Sequence, residues 1–83
     1  MKKDNRKLYV LNVRENKERI LFEYEDEHTA KLQMTILGRK QKTGEGIICV
    51  VKAHLNENGE IDNRYREDIA VYDGWLARVL AEN

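Results

Sequence analysis

The chain has 83 residues, enough for one domain of modest stability and too few for a second core. Fifteen basic and fifteen acidic residues cancel, which excludes a strong overall field drawing it toward DNA or a membrane surface. It contains no serine, so every serine-nucleophile mechanism is excluded at the outset.

Charged residues make up 36% of the chain and hydrophobic ones 41%, a balance that supports a well-solvated surface around a real core. One cysteine, Cys49, lies inside an apolar run and can form no intramolecular disulfide. No stretch reads as a signal peptide or a membrane span, so a cytoplasmic location is expected, with no membrane partner.

Residues 1–83 read as a single small domain, with residues 1–6 as a flexible, basic N-terminal arm. The first strand covers residues 8–13. Tyr9, Leu11 and Val13 alternate onto one face; Leu8 and Val10 fall on the other. A two-residue turn at Asn16-Lys17 leads into a second strand at residues 20–25. That turn pairs Val13 with Ile20, Leu11 with Phe22 and Tyr9 with Tyr24, all apolar partners on one face.

Residues 28–38 carry two conflicting signals. Acidic residues 25–27 at one end, with Gly38, Arg39 and Lys40 at the other, suit a helix. Inside, Ala30, Leu32, Met34 and Ile36 alternate with polar residues, and on a helical wheel they split into two opposed lobes. Periodicity predicts a strand whose Ile36, Met34 and Leu32 pair with Ile47, Cys49 and Val51. The alternative is a helix over residues 27–37.

The densest apolar run, residues 47–55, predicts a central strand buried on both faces. Glu57-Asn58-Gly59 predicts a tight turn with Gly59 left-handed, pairing Leu55 with Ile61, Val51 with Tyr65 and Ile47 with Ile69. Misfits at Asn63 and Glu67 predict a strand end near Tyr65 or Arg66. Beyond it, Ile69, Tyr72, Trp75, Leu76, Val79 and Leu80 share one side of a wheel. They predict a C-terminal helix, regular from Asp73 to Glu82, packed on the sheet through Trp75, Leu76, Val79 and Leu80.

The expected fold class is α+β: an antiparallel meander of about five strands, curled toward a small barrel, with a C-terminal helix on one face. The alternative, with residues 27–37 helical, is a ββαββα arrangement.

Candidate chemistry is sparse. His28, His54 and Cys49 lack metal-site spacing, the glycines do not form a phosphate loop, and only Glu67 is placed near apolar neighbours in one register. No catalytic residue, metal or cofactor is expected. Leu8, Val10, Leu21, Ile48 and Val50 project to a sheet face that one helix cannot cover. They are the expected protein-binding residues of a small, non-enzymatic adaptor, regulator or inhibitor that self-associates as a homodimer. The alternative is nucleic-acid binding through Arg39, Lys40, Lys42, Arg64 and Arg66.

Overall fold

The computed structural model describes residues 5–42 and 44–72. Within them, four strands and one helix follow the order β1 (Lys7–Arg14), β2 (Lys17–Tyr24), α1 (Glu27–Lys40), β3 (Ile47–Leu55) and β4 (Ile61–Val71). All strand pairs are antiparallel, in the spatial order β2-β1-β3-β4. The class is α+β, but the sheet is not the expected meander and does not close into a barrel. The expected C-terminal helix and its Trp75, Leu76, Val79 and Leu80 contacts lie outside the described residues.

Residues 28–38 form a helix, not a strand, so the expected pairs of Leu32, Met34 and Ile36 with β3 do not exist. Its N-terminus decides the matter locally. Asp26 is extended (φ −109°, ψ 126°), and its carboxylate accepts from the Thr29 backbone N–H and hydroxyl, both at 2.8 Å. Glu27 in the first turn and Arg39 and Lys40 in the last complement the helix dipole. Of the two apolar lobes, Ala30, Met34 and Leu37 turn to the sheet, while Leu32 and Ile36 turn away.

With residues 28–38 removed from the sheet, β3 takes its place beside β1, and these two strands are central. β3 is buried on both faces as expected, through Ile48, Cys49, Val50, Val51 and Ala53. Ile48 and Val50 join Leu8, Val10, Ala30 and Met34 in a core between sheet and α1. Tyr9, Leu11, Cys49, Val51, Ala53 and Ile61 form a second core on the opposite face.

The first hairpin turns one residue earlier than the expected Asn16-Lys17. Arg14 pairs with Lys17, and Glu15 and Asn16 both take positive φ (53° and 65°), the backbone of a two-residue hairpin turn that favours asparagine. A bulge then follows: Val10 faces Phe22 but Leu11 faces Ile20, leaving Leu21 extra. The bulge changes the phase of the strand. Ile20 lies on the second face, whereas Leu21 and Tyr24 pack on the α1 side.

At the other end, Leu55 pairs with Ile61 as expected, and Gly59 is left-handed (φ +79°). Asn56 organises that turn. Its side chain accepts from the N–H groups of Asn58 and Glu60. β4 does not stop at Tyr65 or Arg66. Between the pairs His54–Asp62 and Lys52–Glu67, β4 spends five residue steps against two on β3, so residues 63–66 stand opposite Ala53 alone in a wide irregularity, and the strand continues to Val71. A second shift leaves Ile69 extra. Together these shifts replace the expected Val51–Tyr65 and Ile47–Ile69 pairs with Val51–Asp68 and Cys49–Val71.

Candidate interaction surface

The five residues expected to bind a partner are not exposed. Leu8, Val10, Ile48 and Val50 are buried beneath α1, with Val10 and Val50 at 0% exposure, and Leu21 is half-buried against them. The sequence left that face uncovered only because residues 28–38 were assigned to the sheet. As a helix, the same residues cross over and cover it.

The five residues expected to contact nucleic acid are divided. Arg39, Lys40 and Lys42 stand together at the C-terminal end of α1, near the start of β3. Arg64 lies near the opposite end of β3, and its guanidinium is bound to Asp62 (Nη2–Oδ2 2.8 Å, Nε–Oδ1 3.1 Å). This pair holds the Asp62 carboxyl at about 2. Arg66 is engaged with Glu18, Asp68 and Asn63. Arg66 would meet a phosphate only by breaking a carboxylate contact, whereas the Arg64 side chain stays 78% exposed beside Asp62.

The Arg66–Glu18 pair joins the two edge strands. Its two contacts measure 2.7 and 2.6 Å, and both side chains are partly shielded. In a flat sheet, strands three places apart are separated by about 14 Å. Extended arginine and glutamate side chains reach about that far when laid across one face, so the pair lies over the second core. The bulges on both edge strands add to the local twist of the sheet. Beneath this pair, burial pushes the Cys49 thiol above its usual value, with Arg66 opposing the rise and Glu18 and Asp68 adding to it. A buried, protonated thiol is a poor nucleophile.

Glu67 is exposed and pairs with Arg6 at 3.6 Å, not with an apolar pocket. Arg6, expected in a flexible arm, is tied to β4 through that contact and by donating to the Tyr65 carbonyl at 3.1 Å; residues 1–4 lie outside the described ones. Among the described residues, no three histidine, cysteine, aspartate or glutamate side chains converge on one point. A shallow groove lined by Leu55, Asn56, Glu57, Asn58, Asp62 and Arg64 lies at the β3–β4 turn, open to solvent. No described helix is long and apolar enough to cross a membrane.

What the sequence reading missed is the outer ridge of α1. Leu32 is 51% exposed and Ile36 36%, one turn apart on the face directed away from the sheet. Arg39 continues the ridge about 4.5 Å beyond Ile36 along the axis, with Lys40 next in sequence. Among the described residues, no carboxylate lies within ion-pair distance of Arg39, Lys40 or Lys42. The signal was present in the two lobes on the helical wheel. One lobe is core and the other is surface.

Both sheet edges, by contrast, are poor docking strands. Their bulges interrupt the regular row of backbone donors and acceptors that an incoming strand needs. Comparison with known proteins adds no family: no protein-family model, curated protein or solved structure matches the chain.

Proposed function

We propose that this protein is a small, non-enzymatic binding module of the cytoplasm, acting as an adaptor, regulator or inhibitor by occupying a surface on a protein partner. The observation that carries the reading is the exposed pair Leu32 and Ile36 on the outer face of α1, followed by the cations Arg39 and Lys40. Two aliphatic anchors at helical spacing with a charged border match the helix-docking mode of recognition. The blunted sheet edges favour this helix face over strand addition. The single, buried cysteine suits a reducing compartment.

Benzoylphenylalanine placed at position 32, and as a control at position 58 on the far turn, tests the reading by photo-crosslinking in cells producing the full chain. Adducts at 32 and none at 58 support it. No adducts at 32, or equal labelling at both positions, overturn it.

A second reading is nucleic-acid binding through Arg39, Lys40 and Lys42, favoured by the absence of carboxylate partners for these cations among the described residues. Arg64 and Arg66 drop out of it, because Arg64 lies near the other end of β3 and Arg66 is held by two acids. Anisotropy of labelled oligonucleotides at low and physiological salt tests it. Salt-sensitive binding lost on changing the three cations to alanine supports it; no binding at low salt removes it.

A further inference from the structure

We infer that the occupant of the α1 ridge is a second copy of this chain, docked helix against helix in antiparallel fashion. The inference rests on reading α1 as the docking surface and names its partner. Its basis is the self-complementarity of the ridge. Carboxylates Glu25, Asp26 and Glu27 cluster around the N-terminal end of α1, with Glu27 also pairing with Lys31 at 2.9 Å and Asp26 capping Thr29, and cations Arg39, Lys40 and Lys42 cluster around its C-terminal end. A two-fold axis near the middle of the helix brings Leu32 of each copy against Ile36 of the other. The same operation sets each acidic end beside the partner's basic end, and it opposes the two helix dipoles. A parallel arrangement would place like charges together at both ends, so the charge pattern selects the antiparallel one.

The geometry is feasible because, among the described residues, no other element packs on this side of α1. Its sheet-facing residues Ala30, Met34 and Leu37 are used in the core, leaving His28, Leu32, Ile36 and Arg39 pointing outward along about 16 Å of axis. Two aliphatic side chains per copy make a small seam, below the roughly 800 Å² per partner of a stable interface. The association is therefore weak, with half-dimerisation expected between about 10 μM and 1 mM.

Sedimentation equilibrium of the full chain across that concentration range is the test, with folding of each variant checked by circular dichroism. The wild type forms dimers, and Leu32→Gln sediments as a monomer. Arg39→Glu/Lys40→Glu makes both helix ends acidic, and Glu25→Lys/Glu27→Lys makes both basic; each variant alone is monomeric. An equimolar mixture of the two restores dimer, because every acidic end again meets a basic one. A wild type that is monomeric at 1 mM overturns the pairing but leaves the ridge open to another protein, which the crosslink at position 32 then reports. Dimers that survive Leu32→Gln and both charge reversals overturn the pairing by placing the seam elsewhere. A mixture that stays monomeric overturns the antiparallel arrangement.

Discussion

The ring of Tyr72 lies directly against Gly38, so closely that a Cβ on Gly38 would collide with it. Tyr72 follows β4 and keeps its backbone in register by donating to the Ile48 carbonyl at 2.8 Å. The contact therefore fastens the C-terminal end of α1 to the end of the sheet's last strand. Gly38 is not the helix terminator it resembles in the sequence. The helix continues through Lys40, and Gln41 caps it by donating to the Gly38 carbonyl.

Replacing Gly38 with alanine separates the two roles. Alanine gains about 1 kcal/mol in helix propensity, but forcing a methyl group into the ring costs about 1–3 kcal/mol. Net destabilisation of about 1 kcal/mol is expected in urea denaturation. In a Tyr72→Ala background the space is open, and the same change should stabilise. A glycine that merely ended the helix would show no such reversal.

Charging Val10 should unfold the protein. On an open binding face, Val10→Asp would leave the fold intact, but Val10 is fully buried between the sheet and α1. An unpaired carboxylate there costs a large part of the about 5–15 kcal/mol that holds a small domain together. The far-UV spectrum and thermal midpoint report the outcome. On the second face, Leu11→Ala should cost about 2–5 kcal/mol and leave a cooperative transition.

Breaking the Arg66–Glu18 pair should loosen the link between the two edge strands. Its two contacts are bidentate and partly shielded, so a double-mutant cycle of Arg66→Met and Glu18→Gln should give a coupling of about 1–2 kcal/mol, above the usual exposed pair. The coupling should fall only modestly between low and high salt. Exposure of Cys49 should rise in Arg66→Met, measured as faster reaction with a thiol reagent.

Acid titration should distinguish two carboxylates that the fold holds down. The Arg64 side chain is the main cause of the Asp62 value of about 2, and the Arg64 backbone N–H adds to it. For Asp26, the Thr29 hydroxyl is the main cause and the Thr29 backbone N–H the second. A depressed folded value means that the contribution is complete above the ordinary carboxylate value near 3.8 and is lost as pH falls through the folded one. Carbon-detected NMR should place the Asp62 midpoint near 2 and shift it upward in Arg64→Met. The amides of the first turn of α1 should lose protection as Asp26 protonates.

How much of this was legible in the sequence differs from element to element. The central strand at residues 47–55 was legible because β-branched residues on both faces have few other uses. The Asn56–Glu60 turn was legible because Gly59 tolerates the left-handed backbone that its loop length requires. Residues 28–38 were misread because alternation and helical lobes describe the same four apolar residues. The capping carboxylate of Asp26 and the terminal charges pointed the other way, and they were right. That single reversal also moved the candidate site, since Leu8, Val10, Ile48 and Val50 lost their solvent and Leu32 and Ile36 acquired it.

By itself, the sequence determined the class of the domain, the buried centre of its sheet, two turn regions and the absence of a serine nucleophile. These properties depend on residue identity and on neighbours a few positions away. Only the tertiary structure decided strand order, register beyond the bulges, and which apolar lobe of α1 faces water. Those depend on competition between distant segments for the same surface. β3 pairs with β1, and the segment at 28–38 does not take the outer edge of β2, where a meander would place it. The strand with two apolar faces took the sheet position, where both could be buried. The segment with one narrow apolar stripe became the helix across it.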